Sequence, residues 1–244
     1  MNCQSPKLNV KTVLIDVDRT IADPKREKKL IENDLGLDKH PHPLVTLTAK
    51  NNHIKVNDAE QRVAKAEASV KHMTGQYRPF GILDQLGITK DELWDELIRR
   101  AKSSLFIYPD AISLLKFLKT ITDIRVYPAT TNHRLLILSK LAICGLADRN
   151  GSAYLDGCFG GEEIIAGGKC SPDFFLALLQ RTNSKPDTTL MIGDHPEEDL
   201  KNAKQAGIDQ VILPRRNQSE EWIYESDGGI YVKSLKTVEK WLAK

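Results

Sequence analysis

From residue 105 onward the chain alternates short apolar runs with stretches in which apolar residues recur every three or four positions. The runs at 124–129, 189–192, 211–213 and 230–232 are predicted strands, and 135–143, 174–179 and 200–206 are predicted helices. Local punctuation agrees. Ser171-Pro172 offers an N-cap followed by proline in the first turn, and Gly145 and Gly207 close two of the helices. Near the start, Val13-Leu14-Ile15 is short and rich in β-branched residues, which predicts a further buried strand. A strand–helix–strand rhythm of this kind implies a parallel sheet with helices on both faces.

Between residues 21 and 104 strand signals nearly vanish. Ala59, Val63, Ala66, Val70 and Met73 form one helical stripe with charges between them. Thr89 and Glu92 have capping-box spacing ahead of Leu93, Trp94, Leu97, Ile98 and Ala101. The chain thus divides into an α/β core, residues 1–20 and 105–244, and a mostly helical insert, residues 21–104. The charged run at 25–29 reads as a solvated helix face. The stretch 39–57 shows no periodicity and reads as a loop over the site, with His42, Lys50, Asn52 and His53 as candidate substrate contacts.

Composition narrows the class. Of 244 residues, 41% are hydrophobic and 28% charged, as in a globular protein with a sizeable core, and a net charge of +2 is too balanced for a nucleic-acid or anionic-membrane partner. No stretch has transmembrane length, and the N-terminal residues lack a signal-peptide core. Cys3, Cys144, Cys158 and Cys170 have no metal-site or CxxC spacing. Free thiols in a reducing cytoplasm are the expectation, for a monomer or homodimer.

The chemistry concentrates where strands end. Asp16 and Asp18 follow the first strand two positions apart, and like charges so placed call for a cation, a shared proton or a phosphoryl group. Three further polar elements lie at strand ends or in loops: Thr130-Thr131-Asn132, Lys169, and Gly193-Asp194 with Asp199. In a parallel sheet these ends converge on one edge. Carboxylates with a hydroxyl and an ammonium suit phosphoryl transfer assisted by a hard divalent cation, usually magnesium.

In order and spacing these motifs resemble those of the haloacid dehalogenase superfamily, over nearly the whole chain. The insert resembles the helical cap of its phosphatase branch, which includes phosphoglycolate phosphatase-like and β-phosphoglucomutase-like enzymes. The resemblance implies an α/β fold, a Rossmann-like doubly wound parallel-sheet core with an inserted mostly helical cap. It implies Asp16 as nucleophile, Asp18 as general acid and then base, and Lys169 bridging Asp16 and the phosphate. Thr131 would bind the phosphoryl group, with Asn132 nearby. Mg2+ would be held by the Asp16 and Asp194 carboxylates and the Asp18 backbone carbonyl, with Asp199 supporting Lys169. Dehalogenases of this type lack an acid at the Asp18 position, so Asp18 favours phosphate esters. The implied activity is hydrolysis of a small phosphorylated metabolite. The alternatives are a sugar-phosphate mutase and, in another class, a non-catalytic or regulatory ligand-binding protein. Arg19 stands where the family often has glycine, and would touch substrate or pair with a cap carboxylate. Thr130 competes with Thr131 for the phosphate, Glu198 adjoins Asp199, and His195 reads as loop packing.

Overall fold

The structure, a computed structural model, describes residues 6–23, 42–70, 78–165 and 168–243. Cys3, the charged run at 25–29, residues 39–41 and Met73 lie outside them. A six-stranded sheet forms the centre, in the order β4–β1–β5–β6–β8–β7. Its strands are β1 (Thr12–Ile15), β4 (Arg125–Pro128), β5 (Thr189–Ile192), β6 (Gln210–Pro214), β7 (Trp222–Tyr224) and β8 (Ile230–Val232). All pair in parallel except β7, which runs antiparallel to β8 at the edge. That hairpin has no counterpart in the expectation of a uniformly parallel sheet. Trp222 packs edge-on against Trp241 there, with ring centroids 5.6 Å apart.

Alternation along β1 assigns its side chains to two layers. Val13 and Ile15 pack with Leu114, Leu115 and Leu118 of α5 (Pro109–Leu118) and with Ile137 and Leu141 of α6 (Arg134–Ala142). Leu14 faces Phe174, Phe175 and Leu178 of α7 (Pro172–Thr182) on the other side. Each fully buried side chain of this size contributes about 1.5–3 kcal/mol. The last helix, Lys236–Leu242, covers the first layer through Val238 and Trp241.

Among the described residues after β1 lie four helices, α1 (Pro43–Asn52), α2 (Val56–Val70), α3 (Arg78–Leu86) and α4 (Lys90–Ser104). Thr89 and Glu92 cap α4 reciprocally. Where the chain leaves and re-enters the core, β2 (Ala22–Asp23) and β3 (Phe106–Ile107) pair antiparallel, so both ends of the insert meet at one stem.

The reading of 39–57 as an unpatterned loop is corrected over its described residues. Residues 43–52 form α1, with Leu44, Val45, Leu47 and Thr48 buried. Pro43 fits the first turn, where its missing N–H loses nothing, and the His42 side chain accepts from Leu44 N. His53 ends the helix at φ 52°. Asn52, one of the expected contacts, hydrogen-bonds within the insert, as do its neighbours Asn51 and Arg62. Asn52 Nδ2 donates to Leu86 O at 3.0 Å and Asn51 Nδ2 to Gly87 O at 2.9 Å, while Arg62 donates to Asn52 Oδ1 at 2.7 Å.

α6 joins the two regions. Ile137 and Leu141 belong to the sheet layer, whereas Leu135 completes the insert's own core with Leu86, Leu93 and Leu97. A helix that packs on several sides is apolar nearly all round, which explains the sequence Arg134-Leu135-Leu136-Ile137-Leu138.

Asn52→Ala removes a helix-end hydrogen bond and one of the two bonds of Arg62, which keeps Gln85 O. It is expected to lower stability by about 1–2 kcal/mol in denaturant titration, without altering preference among substrates. A second expectation concerns acid. His133 caps α6 through Nδ1, which accepts from Leu136 N at 3.0 Å and so must stay unprotonated. Burial, reinforced by His42 and Lys140, pushes its pKa from 6.5 down to about 3. The unfolded chain takes up this proton near 6.5 and the native state only near 3, so the contribution is complete above 6.5 and fades as pH falls towards 3. His133→Asn keeps a capping acceptor and removes the proton site. Between about pH 7.5 and about pH 5 the variant is expected to lose less stability than wild type, by about 2 kcal/mol. Equal acid sensitivity of the two proteins would count against the assignment.

Candidate active site

The C-terminal ends of β1, β4 and β5 meet at one edge of the sheet. Asp16 continues β1 and its amide donates to Ile192 O at 2.8 Å, while Ala129 N donates to Ile15 O at 2.8 Å. A cleft of about 530 Å³ opens there, lined by Asp16, Asp18, Arg19, Thr130, Thr131, Asn132, Leu136, Lys140, Lys169, Asp194, His195 and Glu198. Every residue of the sequence-derived site borders it except Asp199, which lies beneath.

Lys169 is the electrostatic centre. It is 4% exposed, and its Nζ lies 2.6 Å from Asp16 Oδ1 and 2.5 Å from Asp199 Oδ1. Burial opposes its charge, but Asp16 and Asp199 outweigh that and hold the ammonium above its ordinary pKa. Asp199 is wholly buried, and its other oxygen accepts from His195 N at 2.9 Å. The backbone makes room for it: a Cβ on Gly193 would stand 2.3 Å from Asp199 Cγ. Asp199 enters through a π-helical turn, Pro196–Lys201, rather than the regular helix expected over 200–206, and this turn runs into Asn202–Gln205. His195 proves to be the cap of that turn, its Nδ1 accepting from Glu198 N at 3.2 Å.

Asp16, Asp194 and Asp199 can each place an oxygen within 4.8 Å of the others. Three carboxylates outnumber the cations set against them, the Lys169 ammonium and an Arg19 guanidinium 3.8 Å from Asp194, so negative charge is in excess in a largely buried space. Burial is the main reason that the Asp16 carboxyl rises to about 7; Lys169 opposes it, and Asp199 and Asp194 add to it. Burial and Asp199 likewise raise Asp194. This residual charge matches a divalent cation. Asp16 and Asp194 could supply carboxylate oxygens, and the Asp18 backbone carbonyl, two positions beyond Asp16, is a candidate third donor.

The Asp18 side chain takes a different course. Its Oδ2 accepts from Asn132 Nδ2 at 2.6 Å, and its Oδ1 lies 2.5 Å from Lys140 Nζ. Burial pushes the Asp18 pKa up, but Lys140 and Asn132 outweigh it and hold the carboxyl below its ordinary value. Asn132 therefore contacts Asp18, and also Thr130 Oγ1 at 3.0 Å. Thr130 is 3% exposed, whereas Thr131 is exposed, and its Oγ1 accepts from Lys169 N at 3.4 Å. Thr131 is thus the more open of the two hydroxyls.

Arg19 adopts φ 58°, a left-handed conformation uncommon for a residue with a side chain, and its guanidinium lies 3.8 Å from Asp194. Its acidic neighbour is in the core, not the insert. The sequence reading missed Lys140 and Arg216. Arg216 donates to Arg19 O at 3.0 Å and Thr20 O at 2.9 Å, pairs with Asp110 at 3.2 Å, and stacks 3.5 Å over the Tyr108 ring. It fastens the turn that carries Asp18 and Arg19. The available signals were a lysine in an apolar helix and an arginine just after a strand.

Comparison with known proteins agrees with this architecture. Residues 10–207 match the haloacid dehalogenase-like hydrolase family, and the chain belongs to that family of hydrolases. It is 44% identical over 46 residues to the phospholysine phosphohistidine inorganic pyrophosphate phosphatase of Xenopus laevis; the match spans 19% of this chain and 17% of that protein. Among solved structures, an HAD phosphatase from Thermococcus onnurineus aligns at TM-score 0.56 and 22% identity over 96% of this chain and 98% of its own. A 2-haloacid dehalogenase from Pseudomonas syringae aligns at 0.54 and 18% over 96% and 98%. Phosphatase and dehalogenase thus share the fold, so the reaction must be argued from the site. Among the described residues no helix is long and apolar enough to cross a membrane.

Gly193→Ala is expected to displace Asp199 from Lys169 and lower stability by about 2 kcal/mol or more in denaturant unfolding. A neutral substitution would mean that the close approach is not needed.

Proposed function

We propose that this hydrolase is a magnesium-dependent phosphatase that removes the phosphoryl group from a small phosphorylated metabolite through an aspartyl phosphate on Asp16. One observation carries the reading: Asp16 is 4% exposed at the sheet edge, held by Lys169 at 2.6 Å, and faces a cleft that also presents a second carboxylate, Asp18. A dehalogenase has no use for that second group, because a halide leaves without a proton, whereas an alcohol oxygen needs one. Of the twelve described lining residues only Leu136 is apolar, which favours a small polar substrate.

In this reading the substrate's phosphate charge favours uptake of a proton by Asp18; an Asp16 oxygen then attacks phosphorus and the bond to the leaving oxygen breaks, with Asp18 delivering that proton to the leaving oxygen. Asp18, now a carboxylate, takes a proton from water, whose oxygen attacks the phosphorus. The Asp16–phosphorus bond breaks and inorganic phosphate departs. Thr131 and Lys169 donate to the non-bridging oxygens, and Asn132 orients Asp18. Magnesium, held by Asp16, Asp194 and the Asp18 carbonyl, would neutralise charge on the transferring group. The helical insert serves as the cap that reads the leaving group, supported by its packing onto α6 beside the cleft.

The test is a panel of phosphorylated metabolites assayed for phosphate release, with Mg2+ and with EDTA. Release is expected only with the metal. Asp16→Asn should lower the rate by about 10³-fold or more while leaving the fold intact by circular dichroism. Turnover in EDTA overturns the magnesium dependence, and an Asp16→Asn variant above about a tenth of the wild-type rate overturns the covalent route.

A further inference from the structure

Lys140 occupies an unusual place. It is 2% exposed, lies on α6 among Ile137, Leu138 and Leu141, and points its ammonium into the cleft 2.5 Å from Asp18 Oδ1. Burying an ammonium costs several kcal/mol, and stability alone would place an aliphatic residue here. Its partner is not a buried structural acid, since the Asp18 side chain is 40% exposed and could be satisfied by water. The pair is therefore poorly explained by packing and well explained by orientation. Lys140 on Oδ1 and Asn132 on Oδ2 grip both carboxylate oxygens, which sets the plane of the group. Without the lysine, Asn132 holds one oxygen and the carboxylate can rotate about its other bonds.

We propose that Lys140 is a positioning residue for the phosphatase reaction: it holds the Asp18 carboxylate turned into the cleft, where leaving oxygen and attacking water must meet it. This rests on the proposed function, because it takes Asp18 as the group that moves the proton. α6 is the appropriate mounting. It is locked to the sheet through Ile137 and Leu141 and to the insert through Leu135, so Lys140 Nζ is presented from a fixed backbone.

Lys140→Met, Lys140→Gln and Lys140→Arg test the proposal with p-nitrophenyl phosphate, whose leaving group needs little protonation, and phenyl phosphate, which needs more. Met and Gln are expected to fold, and to lower kcat on phenyl phosphate roughly tenfold more than on p-nitrophenyl phosphate. Arg, which keeps a cation, should restore the ratio to within about threefold of wild type. In an Asp18→Asn background, Lys140→Met should add little further loss. Equal losses on both substrates, or a rise in KM alone, overturn the proposal; the latter would make Lys140 a contact for a substrate anion. The crystal structure of Lys140→Gln gives a reading independent of turnover. An Asp18 carboxylate that keeps its orientation without the ammonium refutes positioning, even if wild type proves inert on both esters. Inert wild type with a reoriented Asp18 counts instead against the phosphatase reading alone.

Discussion

Three carboxylates crowd one buried ammonium at the end of the sheet, and much of the surrounding architecture keeps that arrangement tolerable. Asp199 is wholly buried and meets Lys169 at 2.5 Å only because Gly193 has no side chain and because a π-helical turn swings it inward. Gly168, at φ 66°, delivers Lys169 from the opposite side, and a Cβ there would stand 2.6 Å from Thr131 Cγ2. At both glycines the atoms approached belong to site side chains, so a Cβ there would push Asp199 or Thr131 out of its present position. The surplus of negative charge that results is the same property that makes the cleft a place for a cation and a phosphoryl group.

The two aspartates of the first motif live in contrasting surroundings despite their spacing. Asp16 sits in the interior and its carboxyl is pushed up to about 7, first by burial. Asp18 faces the cleft mouth, where Lys140 and Asn132 hold its carboxyl below the ordinary range against the effect of burial. Two carboxylates with environments this different titrate apart: Asp16 holds its proton to higher pH than Asp18, and a divalent cation beside Asp16 would favour its ionised form again. The turn between them and the rest of the chain is secured from a distance by Arg216, which reaches across from beyond β6.

The strands and the motif residues were legible in the sequence because each carries its own signal. Thr189–Ile192 is a bounded apolar run, and Asp16 and Asp18 stand directly after another. The capping box of α4 was equally local. What escaped depended on tertiary surroundings. α1 was hidden because Pro43 and the flanking histidines and asparagines look like loop chemistry, and only the packed insert reveals that Asn52 serves a neighbouring helix. Lys140 reads as an ordinary solvent-facing lysine until α6 is seen to be covered by both the sheet and the insert. β7, the antiparallel partner of the predicted strand at 230–232, is too short at three residues to rise above its polar flanks.

The position of β1 has a consequence for synthesis of the chain. This strand is central: Thr12 aligns with Arg125 on one side and with Thr189 on the other. All its partners come from beyond the insert. On the ribosome Val13-Leu14-Ile15 emerges early and then waits, apolar and without a sheet, while the helical region and much of the core are still being made. Closing such distant pairs is entropically slow, although the closure penalty grows only logarithmically with the length between them. The insert can gather its own apolar core in the meantime, and its paired stem at Ala22–Asp23 and Phe106–Ile107 shortens the effective loop that β1 must close. Nascent-chain handling, more than the final stability of the sheet, is where this topology is most exposed.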